Sequence, residues 1–193
     1  VAHYVGLEYF DQQYSEVYDA QSEAGLIGGS AGNSAAGDRQ VWAMFYEAVL
    51  PITDDIELNL AARYDDYSDF GDNIAPKAAI RWQALENVVV RASYSEAFRA
   101  PALDQLFAVT TFSAEDGIDK PYCEATGTPC SERQFDTYIS ANKELGPETS
   151  QYVNFGVAWD IVDDIGLKVD YFNLNIDDVI AQRSITSVMT GIY

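Results

Sequence analysis

The sequence predicts an all-β fold: about seven antiparallel strands forming part of a transmembrane β-barrel, with residues 1–193 as a fragment of one barrel domain. Three observations carry this reading. Apolar and polar residues alternate at period two through several segments, the links between those segments alternate in length, and charge keeps to one face.

The elements follow in chain order. "YVGLEYF", Tyr4–Phe10, has Val5, Leu7 and Tyr9 on its outward side. "VWAMFYEAVL", Val41–Leu50, places Trp42, Met44, Tyr46, Ala48 and Leu50 outward. "IELNLAARYD" shows the pattern best, since successive side chains of a strand point to opposite faces. There Ile56, Leu58, Leu60, Ala62 and Tyr64 oppose Glu57, Asn59, Ala61, Arg63 and Asp65. "APKAAIRWQ" sets Ala78, Ile80 and Trp82 against Lys77, Ala79, Arg81 and Gln83. In "NVVVRASYS", Val88, Val90, Ala92 and Tyr94 oppose Val89, Arg91, Ser93 and Ser95. "VNFGVAWDI" sets Val153, Phe155, Val157, Trp159 and Ile161 against Asn154, Gly156, Ala158 and Asp160. "LKVDY" sets Leu167, Val169 and Tyr171 against Lys168 and Asp170. Beyond Tyr171 the parity slips to Leu174 and Ile176, which predicts a bulge or the end of the membrane zone.

The links "PITDD", "ALEN" and "VDD" are short. The others, "VYDAQSEAGLIGGSAGNSAAGD", "DYSDFGDN", the span from Arg99 to Pro147 and the tail after Asp177, are long or polar. A soluble sandwich has no reason to shorten every second link, whereas an outer-membrane barrel has short periplasmic turns and longer outer loops. Trp82 and Trp159 fall just before short turns, and Tyr9, Trp42, Tyr64 and Tyr94 fall toward long links, as two interfacial girdles require. The polar face carries Arg63, Lys77, Arg81, Arg91 and Lys168, with Glu47, Glu57, Asp65 and Asp170 as available partners. These charges fit a watery or plugged lumen, because a cation at the lipid midplane costs about 2–4 kcal/mol.

Composition removes other classes. With 31 acidic against 11 basic residues the formal charge is −20, which repels phosphate backbones and sets nucleic acid aside. No apolar run approaches the ~18 residues of a membrane-spanning helix. The chain opens at Val1 without a leader pattern, so a removed signal or a piece of a longer chain is expected. Cys123 and Cys130, in "PYCEATGTPCSER", are read as a small-loop disulfide of an oxidising compartment; the alternative is two unpaired thiols in a cytosolic protein.

No catalytic constellation is visible, and neither an enzyme, a cofactor nor a metal site is expected. His3 is the single histidine, too little for a Ser/His/Asp arrangement. "DDYSDFGDN" misses the calcium-loop spacing, with Lys77 where a closing Glu belongs, and is read as a solvated acidic loop. "GLIGGSAG" follows no βαβ unit and carries no Lys, so it is read as a flexible surface loop.

"RASYSEAFRAPALDQLF" resembles the barrel motif of TonB-dependent outer-membrane receptors, in which a strand ending in Phe-Arg-Ala-Pro leads to an apolar Leu-x-x-Leu segment. "LAARYDDYSDFGDNIAPKAAIRWQ" is similar to the preceding hairpin, "ELGPETSQYVNFGVAWD" to a Leu-x-Pro-Glu-Thr-Ser strand opening, and "VDYFNLNIDDVI" to a strand ending in an Asp pair. The resemblance runs from about Val41 to Ile180. It departs at Glu96, where a small or uncharged residue is usual, and at Gly146, where Lys is common.

The resemblance implies a barrel of roughly 22 strands with a plugged lumen, of which this chain is a fragment. With short turns in the periplasm, the first and seventh strands both run outward, so Tyr193 is not read as a barrel-closing terminal aromatic. Both edge strands then need the missing strands of the same protein, since unpaired backbone in lipid is costly. Pro101, without an N–H, is expected to end the ladder and turn the chain into an outer loop. The implied function is nutrient import driven through TonB, which contacts an absent N-terminal part. Its ligand would be a ferric siderophore, cobalamin, haem or an oligosaccharide. Candidate ligand contacts are Arg99, Phe107, Phe112, Tyr122, Arg133 and Tyr138, with ordinary loop packing as the other explanation of each. The rivals are a passive porin or adhesin barrel and a soluble carbohydrate-binding sandwich.

Overall fold

The computed structural model describes residues 1–191 apart from 25, 28 and 29, and describes 30 and 31 by their backbone alone. Tyr193 and part of the "GLIGGSAG" stretch lie outside the described residues. The chain divides into two compact units. The wall unit comprises Val1–Gln12, Arg39–Pro101 and Gly146–Val179, and the loop unit comprises Gln13–Asp38, Ala102–Leu145 and Ile180–Tyr193.

The wall unit is built from β1 (Ala2–Glu16), β3 (Ala35–Pro51), β4 (Ile56–Tyr67), β5 (Gly71–Leu85), β6 (Val88–Arg99), β9 (Glu148–Val162) and β10 (Ile165–Asp177), with β1 and β3 continuing into the loop unit. They form one sheet in the order β1-β3-β4-β5-β6-β9-β10, and all seven expected segments fall on it. The pairs from β3 to β10 are antiparallel. The sheet is open, with β1 and β10 as its edges. Four short turns join its strands, at 52–55, 68–70, 86–87 and 163–164. In the first, Thr53 Oγ1 accepts from the amides of Asp55 and Ile56, the local bonding that makes Ser, Thr and Asp turn residues.

Register turns the alternation into two continuous surfaces. Leu50, Leu58, Ile80, Ala92, Phe155 and Tyr171 are successive neighbours across six strands, all in the expected outward set. One residue along, Glu57, Arg81, Arg91, Gly156 and Asp170 form a row on the opposite face. A slip of one residue would exchange the two surfaces. The apolar surface is exposed: Trp42, Met44, Ile80, Trp82, Phe155, Trp159 and Val169 all stand open. On β3 the other face is closed, with Val41 fully buried and Ala43 nearly so. An apolar face this broad exceeds what a water-facing monomer exposes. The Tyr9 and Trp42 rings meet at a tilt of 43° within it, their centroids 4.4 Å apart. On the closed face Phe45 lies over Gly6, whose absent Cβ would sit 2.0 Å from the ring.

Three expectations change. The stretch "DYSDFGDN" is a tight hairpin: β4 and β5 pair up to Tyr67 and Gly71, leaving only 68–70 as the turn. Gly71 makes that possible with φ +100°, a value that other residues rarely adopt. Nor is the acidic cluster simply solvated, because Asp65 is 2% exposed and Asp69 is largely covered, each against an arginine. Finally, of the two alternatives after Tyr171, a bulge or the end of the membrane zone, the bulge is not formed. The β9–β10 ladder runs regularly to Asp177, and its register shift lies at Ile165/Gly166 beside the turn. The parity change therefore puts Phe172, Leu174 and Ile176 on the polar face.

The loop unit holds structure where only links were expected: α1 (Ala20–Glu23), β2 (Ser30–Ala31), α2 (Leu103–Phe107), β7 (Thr111–Gly117), α3 (Lys120–Thr126), β8 (Arg133–Ile139) and α4 (Ile185–Thr190). Strands β2, β7 and β8 make a second antiparallel sheet, with Phe112 opposite Tyr138 at its centre. The helices have local caps. Asp19, Asp119 and Ser184 accept backbone amides at the starts of α1, α3 and α4, and Gly127 and Gly191 end α3 and α4 in the left-handed conformation.

Candidate functional site

The polar face of the wall sheet is a ladder of charge. Arg63 donates from Nε to both Asp65 oxygens at 3.0 Å and from Nη2 to Glu8 Oε2 at 2.8 Å. Arg91 donates to Asp170 Oδ1 from Nε at 3.1 Å and from Nη2 at 2.5 Å. This pair reaches across β9 because Gly156 stands between them: a Cβ there would lie 2.2 Å from Asp170 Oδ1. Lys168 Nζ lies 3.9 Å from the other Asp170 oxygen. Arg81 donates to Gln83 Oε1 at 2.7 Å, and Lys77 sits in register beside Ala61 and Ser95 on the same face.

Two basic residues at the ends of the wall strands are tied more tightly. Arg99 forms a fork with Glu148, Nε to Oε2 at 2.5 Å and Nη2 to Oε1 at 2.7 Å. Arg39, which the sequence reading passed over, is 7% exposed. It donates to Gln12 Oε1, to the Pro101 carbonyl and to Asp69, and its guanidinium lies over the Tyr67 ring. The signal was present: position 39 keeps the parity of Val41 and Ala43, so a cation there faces the closed side of β3. Strand β6 ends at Arg99, and Pro101 is fully buried beyond it.

The remaining five candidate contacts lie in the loop unit, four of them in two pairs. The Phe112 and Tyr138 rings meet edge-on at 5.8 Å, and Arg133 lies 5.2 Å over the Tyr122 ring. Phe107 fills the space above Gly37 and carries Lys143 at 5.7 Å. Tyr138 is 73% exposed and Tyr122 about half exposed. An open depression of about 640 Å³ in this unit is lined by Glu23, Asn33, Ser34, Thr110 and Ser140 with three apolar neighbours, and none of the six candidate contacts is among them. Ser34 holds the Glu23 carboxyl below its usual range by hydrogen bonding. Cys123 and Cys130 are joined as a disulfide, with Cα atoms 5.3 Å apart. Among the described residues no group of three or more His, Cys, Asp or Glu is placed to hold a metal ion.

A broad lipid-compatible face backed by paired charges is the arrangement of a barrel wall. The family model described as "TonB dependent receptor-like, beta-barrel" matches residues 1–193. The chain belongs to this family. It is 30% identical over 134 residues to the ferric enterobactin receptor of Pseudomonas aeruginosa, covering 66% of this chain and 17% of that one. A crystal structure of a ferric enterobactin receptor from that organism superposes with a TM-score of 0.68 at 20% identity, over 90% of this chain and 24% of the other. The siderophore receptor PirA from Acinetobacter baumannii gives 0.69 at 17% identity, with the same coverage. These structures share the fold, an antiparallel barrel wall. The chain spans about a quarter or less of each of these relatives.

Proposed function

We propose that residues 1–193 are part of the barrel wall and outer loops of an outer-membrane receptor that imports a scarce nutrient with energy coupled through TonB. The observation that carries this is the exposed, aromatic-belted face opposite a charge ladder, in a chain of the TonB-dependent receptor family. The named relatives are receptors rather than enzymes, and this chain is read as a non-enzyme. Since they are siderophore receptors, the cargo favoured is a ferric siderophore, ahead of cobalamin, haem or an oligosaccharide. The wall's partners are outer-membrane lipid, the remaining strands and plug of the same protein, and TonB through its N-terminal part. Exposed Tyr138 and Tyr122, with Phe112 and Arg133, are the side chains proposed to meet the cargo.

A strain lacking the gene, grown under iron limitation with single ferric siderophores, tests this reading. Growth on at least one siderophore should fail in the mutant, return with the full-length gene, and fail again in a strain without TonB. Complementation that survives loss of TonB would leave a passive porin as the better account.

A further inference from the structure

The chain passes between the wall unit and the loop unit five times, and wall residues at the first three crossings are tied to one another. Gln12 is the last wall residue before the first crossing, Arg39 the first after the second, and Pro101 the last before the third. Arg39 bonds both of the others, Nε to Gln12 Oε1 at 2.6 Å and Nη1 to the Pro101 carbonyl at 2.7 Å. Asp69 Oδ2, 3.4 Å from Nη1, and the Tyr67 ring complete its surroundings. Near the third and fourth crossings the Arg99–Glu148 fork closes the last rung of the β6–β9 ladder.

We propose that Arg39 and Arg99 are positioning residues that clamp the roots of the loop unit, fixing the spacing of the chain segments from which it grows. The inference goes beyond the import reading and holds for any cargo. It also gives Arg99 a role other than the cargo contact expected from sequence, because two of its donors are engaged by Glu148. A guanidinium suits this role because it stays charged and presents several N–H groups in a fixed plane, so one side chain bonds two separate segments. Lysine, a single compact charge, would balance Asp69 without reproducing that geometry. Removing the guanidinium leaves the Pro101 carbonyl and Gln12 without their partner, which favours local opening at the crossings over global unfolding.

The test uses the full-length receptor in detergent, without cargo, under limited trypsin digestion. Cleavage is followed at Arg133 and Lys143 of the loop unit, and barrel integrity by heat-modifiable gel mobility. Arg39→Gln is expected to raise loop cleavage roughly tenfold, Arg39→Lys to rescue little of it, and Glu148→Gln, which loosens Arg99, to raise it a few-fold, with barrel mobility unchanged. Wild-type cleavage in Arg39→Gln overturns the proposal. Full rescue by lysine also overturns it, showing that charge balance alone matters, as does a cleavage increase that only tracks a lowered barrel melting point. Should Arg39→Gln fail to fold, Gln12→Ala removes one arm of the clamp: a few-fold rise supports the proposal, and none sinks it.

Discussion

The wall and loop units are both antiparallel β structure, yet different surroundings define them. In the wall, side chains at alternate positions meet two unlike environments, so period two is written along each strand from β3 to β9. In the loop unit neither sheet face contrasts so strongly with the other. Its short strands β7 and β8 read "TFSAEDG" and "RQFDTYI", polar residues interrupted by single aromatics. The wall is specified by what solvates it, and the loop unit by local devices: caps, a disulfide and aromatic pairs.

The sharpest way to break that comparison is to put the same charge on either face of one strand. Leu60 stands on the exposed apolar face of β4, and Ala61 beside it faces the polar side next to Lys77 and Glu47. Leu60→Arg in the full-length receptor should lose about 2–4 kcal/mol of unfolding free energy in lipid vesicles, the depth-dependent cost of a cation near the midplane. Ala61→Arg should lose well under half of that, since Glu47 stands directly across from this position. Equal losses would mean that the apolar face does not meet lipid. The loop unit offers no such face, and no position in it should show a paired contrast of this size.

Legibility follows from the same difference. The seven wall strands and their outward sets were readable because the pattern repeats over long strands whose two faces meet unlike environments. The pairing of Arg63 with Asp65 and of Arg91 with Asp170 was readable in part, because face assignment limits which charges can meet. Glu8 was missed as a second partner of Arg63, since it comes from β1, 55 positions away in sequence. The hairpin was named by resemblance, but the tightness of its turn at 68–70 and the burial of its carboxylates were missed. An acidic stretch reads as solvated, and of the covering arginines Arg39 comes from β3 while Arg63 lies on β4 itself. The change of parity after Tyr171 left a bulge or the end of the membrane zone open; the regular ladder removes the bulge, since a sequence can change parity without any extra residue in the strand. The strands of the loop unit were illegible for want of period two, and Arg39 because one cation gives no pattern until the strand is extended back to it.

If cross-links and not solvation specify the loop unit, reducing Cys123–Cys130 should act there and nowhere else. Closing so small a loop removes unfolded-state freedom worth ~2 kcal/mol in the chain-entropy account. Reduction, or a Cys130→Ser variant held with Cys123→Ser to avoid a stray thiol, should speed amide exchange of α3 roughly 30-fold, the equivalent of ~2 kcal/mol. Barrel unfolding in the same sample should not move. A shift there would show that the small loop supports the wall, and the division between the two units would fail as an energetic statement.

The smallest effect expected is electrostatic and sits at the first link. Asp19 caps α1, bonded by the Ser22 hydroxyl and by the amides of Ser22 and Gln21, and Glu23 accepts from Ser34. These bonds hold both carboxyls below their ordinary values, with Ser22 the leading cause for Asp19 and Ser34 for Glu23. A carboxyl depressed in the folded state contributes stability that is present above its unfolded pKa, about 4 for Asp and Glu, and is lost as pH falls through the lower folded value. Exchange at residues 20–24, corrected for its intrinsic pH dependence, should therefore stay flat from pH 7 to about 5 and rise only below about 4. Asp19→Asn keeps a capping oxygen but removes the titration, so its profile should be flatter at the acid end. A variant that follows the parent curve would place the acid sensitivity elsewhere and leave the cap as geometry without charge.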